Sequence, residues 1–177
     1  IMGTIKTTNI EPIATNGTVT LGSSGDTFTL ATGVTMTVPS GAMSGQNYPA
    51  FKAVMTSNQA ISATTETIIQ INSEVFDIGG YFNTSTYRFT PPAGKYCFIA
   101  NVANNTVESY LYGRIYKNGA NLAQTLVDAT PSVMIPVHVI DEANGTDYYD
   151  LRAYAPTNTT IISTTTSTFF SAFRLGS

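Results

Sequence analysis

His138 is the single histidine of this 177-residue chain and Cys97 its single cysteine, so nucleophilic or soft-metal chemistry would have to be built around them. A hydrolytic triad needs an imidazole beside a hydroxyl or thiol and a carboxylate, and the chain carries no Gly-x-Ser-x-Gly elbow. His138 sits in Val133-Met134-Ile135-Pro136-Val137-His138-Val139, an alternating stretch, and reads as a structural or surface imidazole. Cys97 stands between Tyr96 and Phe98. Those two rings take the inward phase of a strand, which turns the thiol to the opposite sheet surface as a packing group and candidate subunit contact. Lys95 is its one basic neighbour, too little to make a reactive thiolate. A lone cysteine excludes an intrachain disulfide framework and a cysteine-based zinc site. The sequence holds no phosphate loop, dinucleotide fingerprint or paired histidine ligands.

Acidic residues gather at Asp141, Glu142, Asp147 and Asp150, around the turn Asn144-Gly145. Calcium takes about six to eight oxygen ligands, so Asp141, Glu142 and Asp147 form a candidate weak calcium loop. Their spacing fits no EF-hand, and a solvated acidic loop is the other reading. No other cofactor is expected. A glycan-cleaving enzyme would need paired carboxylates in a cleft, and nothing suggests them, so the expectation is a protein without catalysis. The tyrosines carry more information. Tyr81, Tyr110, Tyr112, Tyr116, Tyr148, Tyr149 and Tyr154 are more than a sandwich core calls for. Tyrosine suits half-buried surfaces and interface centres, so they are expected partly in the core and partly at a subunit axis and a recognition surface.

The elements that hold these residues are strands. Charged residues make up only 11% of the chain, hydrophobic residues 42%, and there are 29 threonines and no tryptophan. Threonine and aromatics favour pleated, half-buried surfaces. The net charge of −3, with lysines and arginines scattered, argues against nucleic-acid binding, which shows a basic stripe. No apolar run reaches the ~18 residues of a membrane span, and no secretory leader is expected at Ile1-Met2-Gly3-Thr4.

Two compositions meet near residue 45. Residues 1–45 alternate in short pieces, at 18–21, 27–30 and 34–38, with turn signals at 22–26 and at Thr32-Gly33. These strands cannot bury a core alone, so residues 1–45 read as an anchor and shaft built with other copies, or else as a leader. Residues 39–47 read as a Gly/Ser/Pro hinge. Residues 46–177 read as a knob of about ten strands: 50–57, 67–71, 74–78, 87–90, 95–102, 110–116, 122–127, 133–140, 148–154 and 168–175. Lys117-Asn118-Gly119 is a hairpin signal. Phe51, Phe89, Tyr96, Phe98, Phe170 and Phe173 are the aromatics expected in the core or at a trimer contact.

The order of these blocks resembles a known family. Ala50-Phe51-Lys52-Ala53 is similar to the opening strand of the complement C1q globular head and its tumour-necrosis-factor-like relatives. Phe82-Asn83-Thr84-Ser85-Thr86-Tyr87-Arg88-Phe89-Thr90-Pro91-Pro92-Ala93-Gly94-Lys95-Tyr96-Cys97-Phe98 is similar to that family's aromatic-Asx, turn, Phe-Thr, Pro, Gly-x-Tyr-x-Phe block. Asn144-Gly145-Thr146-Asp147 resembles its Gly-Asp turn, and Ser167-Thr168-Phe169-Phe170-Ser171-Ala172-Phe173-Arg174-Leu175 its last strand. Tyr87 stands where a turn glycine is usual, and Ala172 where the last strand has glycine. The resemblance implies a ten-strand antiparallel jelly roll that associates as a homotrimer, and some such heads hold calcium. Met2-Gly3-Thr4-Ile5-Lys6-Thr7-Thr8 and the Thr/Gly-rich run after it resemble leaders of bacteriophage fibre and virion-decoration proteins.

Together these resemblances imply a structural virion protein, a short trimeric tail fibre or capsid decoration assembled in the host cytoplasm. Its N-terminal segment would meet other virion proteins, and its knob a host-surface glycan or protein. The alternative is a secreted or surface lectin or adhesin of a cell. Candidate recognition residues are placed at loop tips: Asn104 and Asn105, Asp128, and Asn158 with Thr159.

Overall fold

Threonine, valine, isoleucine and aromatics alternate with polar residues through residues 49–175, and that pattern forms thirteen strands. The computed structural model describes residues 27, 29–30, 32–34, 49–104, 109–128, 133–164 and 166–175. The chain divides into two units, Ile1–Met43 and Ser44–Ser177. In the first, Thr32 and Gly33 form a turn with Gly33 at φ +85°, and Thr27, Thr29 and Leu30 are exposed and outside any strand. The strand at 18–21, nearly all of that at 34–38 and the hinge at 39–47 lie outside the described residues.

The second unit holds β1 (Ala50–Val54), β2 (Gln59–Ile61), β3 (Thr67–Ile68), β4 (Ser73–Ile78), β5 (Phe82–Asn83), β6 (Arg88–Phe89) and β7 (Gly94–Asn104). It continues with β8 (Tyr110–Lys117), β9 (Ala120–Asp128), β10 (Val133–Ala143), β11 (Tyr149–Tyr154), β12 (Thr159–Ile161) and β13 (Phe169–Arg174). No helix occurs among the described residues. A seven-stranded sheet runs β2-β12-β7-β13-β1-β4 with β10 on β7; a six-stranded sheet runs β5-β6-β11-β8-β9 with β3 on β11. Every pairing is antiparallel.

The count exceeds the ten expected because β2, β3, β5, β6 and β12 are only two or three residues long. β2, β5 and β12 are too short to show a period. β12 corrects the placement of Thr159 in a loop, since the β-branched run Thr159-Thr160-Ile161 pairs with β2 instead. Asn104 and Asp128 likewise close β7 and β9, one residue inside the expected loops.

Between the sheets, the inward phase of each strand interdigitates. Phe51 stacks on Phe82 and Phe89 at 4.7 and 4.4 Å and meets Phe170 edge-on at 5.1 Å. Phe98 lies 4.2 Å from Tyr149. Offset and edge-to-face pairs such as these add to area burial. Five of the six aromatics named above, Phe51, Phe89, Tyr96, Phe98 and Phe170, are fully buried. Phe173, expected in the core or at a trimer contact, is 44% exposed and so lies outside the core. Phe170 and Ala172 take the inward phase of β13, so Phe173 must turn outward.

Two backbone positions needed their residues. The β8–β9 hairpin turns at Asn118-Gly119, both at positive φ (52° and 81°), as a type I′ turn requires. Tyr87 has φ 60° in the turn between β5 and β6, a left-handed conformation where glycine would be unstrained.

Candidate functional site

The knob presents two outer faces of different chemistry, one per sheet. On the seven-stranded sheet, register aligns Ile140 of β10 with Cys97 of β7, Phe173 of β13, Ala50 of β1 and Ile78 of β4. The next row aligns His138, Ile99, Ser171, Lys52 and Phe76. Of these, Ile140, Phe173, Ile78, Ile99 and Phe76 are large apolar side chains left in water, Ile140 at 65% exposure. Met134 continues the apolar surface along β10. Cys97 is half-buried within it, facing away from Tyr96 and Phe98. His138 is exposed in the middle, with no carboxylate in its row and with the Ser171 hydroxyl two strands away, donating to the Ile99 carbonyl at 2.8 Å.

The outer face of the six-stranded sheet is polar and stacked. The run Tyr110, Tyr112, Arg114, Tyr116 takes the outward phase of β8, and register sets Tyr112 beside Tyr154 and Arg114 beside Arg152. Tyr112 meets Tyr110 and Tyr154 edge-on, at 5.6 and 6.1 Å. Guanidinium groups lie over rings: Arg114 on Tyr112 at 4.2 Å, Arg152 on Tyr116 at 4.0 Å, Arg88 on Tyr148 at 4.1 Å. Such stacking is worth about 0.5–2 kcal/mol according to solvation. Arg114 is also bonded to Glu66 and donates to Gln124 Oε1 at 3.1 Å. Asp150 is fully buried beneath this layer, accepting from Arg152 Nε at 2.6 Å and Nη2 at 3.2 Å. Burial works against the Arg152 charge, but the Asp150 carboxylate outweighs it and holds the guanidinium above its ordinary range. Burial, with Glu66 nearby, pushes the Tyr116 hydroxyl up. Five of the seven tyrosines singled out thus gather here, while Tyr149 is core.

These arginines were missed because the basic residues read as scattered along the chain. The alternation Tyr-x-Tyr-x-Arg-x-Tyr in β8 puts one run on a single face. Only register, which sequence does not show, adds Arg88 and Arg152 to it.

The acidic loop is held by a lysine. Lys117 Nζ donates to Asp141 Oδ2 and the Glu142 carbonyl, both at 2.8 Å, and lies 3.2 Å from Asp147 Oδ2. Asp147 also accepts from Asn118 Nδ2 at 2.6 Å and the Asn144 amide at 2.9 Å. Tyr149 donates its hydroxyl to Asp141 at 2.6 Å. Burial alone would raise Asp147, yet its three donors hold it below the usual carboxylate range. Burial would lower Lys117, yet the two carboxylates hold it above. Burial and the Asp141 charge push the Tyr149 hydroxyl far up, so it stays a donor. The lysine ammonium therefore fills the position a calcium ion would take between Asp141 and Asp147, and no cluster of three metal-ligating side chains occurs among the described residues. Glu142 is exposed and contributes only its carbonyl.

The candidate recognition residues separate. Asn104 and Thr159 are buried, with Asn104 Nδ2 donating to Thr159 Oγ1 at 3.0 Å, so both tie β7 to β12 and neither faces a receptor. Asn158 is exposed, but its Oδ1 caps the Ala63 amide at 2.8 Å. It borders an open cleft of about 360 Å³ lined by Ala60, Ile61, Ser62, Asn158, Thr159 and Thr160. Asp128 is exposed at the end of β9. Asn105 lies outside the described residues. Among the described residues no helix is long and apolar enough to cross a membrane.

No family model matches this chain, and no curated protein matches it. Solved structures do. Murine APRIL superposes with a TM-score of 0.61 at 11% identity, covering 72% of this chain and 99% of its own. Eiger TNF from S. frugiperda gives 0.57 at 9% identity, over 72% of this chain and 91% of its own. The globular domain of the zebrafish complement 1qA protein gives 0.53 at 17% identity, over 72% and 98%. At such identities the likeness is one of fold, and the knob has the antiparallel jelly roll shared by tumour-necrosis-factor and C1q heads.

Proposed function

We propose that this chain is a structural, non-catalytic virion protein of a bacteriophage: a short homotrimeric fibre whose jelly-roll head contacts the host cell surface. The observation that carries the trimer is the outer face of the seven-stranded sheet. Ile140, Phe173, Ile78, Ile99 and Phe76 adjoin there in two registered rows. Each is already about half covered, so full burial would yield half of the roughly 1.5–3 kcal/mol that a fully exposed side chain gives, and contiguous apolar surface marks an interaction site. Further copies of the chain are the simplest cover, as the resemblance to trimeric C1q-like heads implies. The Thr/Gly-rich residues 1–45, similar to fibre leaders, support attachment to other virion proteins, on tail or capsid. The alternative, a secreted or cell-surface lectin or adhesin, would use the same head with a different attachment.

Two experiments test the reading. Sedimentation equilibrium of the full chain is expected to return three copies at micromolar concentration; a monomer would refute the trimer. Mass spectrometry of purified particles is expected to find the chain at stoichiometric abundance. Its presence in a culture supernatant free of particles would favour the lectin or adhesin.

A further inference from the structure

Arg88 is the cation on the six-stranded face whose bonding capacity the fold leaves unused. It lies in β6 opposite Asp150 in register. Both Asp150 oxygens already accept from Arg152, at 2.6 and 3.2 Å. Arg88 Nε comes only to 3.7 Å from Asp150 and is buried without an acceptor. A buried donor without an acceptor is held at a cost in stability. The group is nonetheless held firmly, its guanidinium flat on Tyr148 at 4.1 Å and 36% of its side chain open to water. Two guanidiniums thus share one carboxylate, a local surplus of one positive charge on a chain of net charge −3.

A guanidinium fork matches a carboxylate with two parallel bonds. A single surplus charge suits a ligand with one charge per recognised unit. A polyanion such as nucleic acid needs a basic stripe, and none is present. Around Arg88 stand the half-buried rings of Tyr148 and Tyr116 and, across the β5–β6 pair, Asn83. Asn83 spends its side-chain oxygen on the Ser85 and Thr86 amides, leaving its amide N–H groups for a ligand. Aromatic rings attract the C–H groups of a pyranose to their electron-rich faces, and an amide donor suits its hydroxyls.

We infer that this surface binds a carboxylate-bearing saccharide, with Arg88 taking the carboxylate and Tyr148, Tyr116 and Asn83 flanking the sugar ring. The inference rests on the proposed role of the head in surface contact and names the ligand class for it.

The test is calorimetric titration of the full-length protein with tetragalacturonate and with its methyl ester, which keeps the rings and removes the charges. The acid is expected to bind at least tenfold more tightly than the ester. Arg88→Gln is expected to abolish that preference and Arg88→Lys to retain part of it, both with at most a small shift in thermal midpoint, since Arg152 still makes both hydrogen bonds to buried Asp150. Equal binding of acid and ester, no saturable binding of the acid, a preference surviving Arg88→Gln, or displacement by millimolar inorganic sulfate would each overturn the inference. Failure here leaves sedimentation and particle composition unaffected, and a monomeric protein that still prefers the acid through Arg88 would refute the trimer and keep this site.

Discussion

The two outer faces of the jelly roll differ in how they meet water. On the six-stranded sheet most large side chains are provided for within one copy: rings stack on rings, guanidiniums on rings, and Asp150 is buried under Arg152, with Leu126 left exposed beside Tyr112. On the seven-stranded sheet the outward rows hold Ile140, Ile99, Phe173, Phe76 and Ile78 around His138, Ser171 and Lys52, and these five apolar side chains stay open to water among the described residues. A self-satisfied polar face can stay in water and offer what is left over, here Arg88. An apolar face is completed only by another molecule. On the proposed function, the difference gives assembly to one sheet and recognition to the other.

Substitutions can break this contrast, and the largest effect is expected on the polar face. Arg152→Met removes both hydrogen bonds to fully buried Asp150 and leaves Arg88 at 3.7 Å as its remaining cation. Loss of one partner of a buried pair costs about 3–5 kcal/mol, and about 3 is expected here, read as a lower urea midpoint. Phe173→Glu on the apolar face should do the reverse. The side chain is 44% exposed in the single copy, so the monomer's stability should barely change. Association should weaken by about 2 kcal/mol or more, as for a central interface aromatic, read by sedimentation. If Phe173→Glu unfolds the chain while Arg152→Met does not, the assignment of the faces is inverted.

A smaller effect comes from the clamp between the sheets, where Lys117 of β8 meets Asp141 of β10 and Asp147. The folded-state pKa of Asp147 lies below the ordinary carboxylate value of 3.8. The stability it contributes is therefore full above that value and is lost as pH falls through the depressed one. Lys117 is raised above 10.5, so its contribution is full below that value and lost as pH rises beyond it. Asp147→Asn should cost about 1.5 kcal/mol at neutral pH, the worth of charged hydrogen bonds. It should also flatten the loss of stability below pH 4 in a urea series. The smallest effect belongs to Tyr87, at φ 60°. Tyr87→Gly should relieve left-handed strain and raise stability by up to about 1 kcal/mol, seen as a small rise in thermal midpoint.

Period-two alternation made the long strands β7 to β11 and β13 legible, and with them the five buried aromatics. Asn118-Gly119 gave away the hairpin because both residues tolerate positive φ. What alternation alone cannot supply is register. Phe173 reads from sequence as core or trimer contact alike, and only its phase, set by Phe170 and Ala172, turns it outward. The acidic loop looked like a cation site because Lys117 lies 24 residues before Asp141, and only folding brings them to 2.8 Å. Asn104 and Thr159 looked like loop tips for the same reason: their bond joins residues 55 apart in the chain. The Arg88–Asp150–Arg152 arrangement joins β6 to β11, and nothing local in the chain marks the approach of Arg88 to that pair.

The most direct test uses the single cysteine as a reporter on the apolar face, since Cys97 lies between Ile140 and Phe173 in register and is half-exposed in one copy. Its rate of alkylation by iodoacetamide is measured against protein concentration, from nanomolar to tens of micromolar. If copies cover this face, Cys97 reacts slowly at high concentration, speeds up on dilution, and reacts fast throughout in Phe173→Glu. A fast rate independent of concentration in the unaltered protein would contradict the account, because the apolar face would then stand open in every state of the chain.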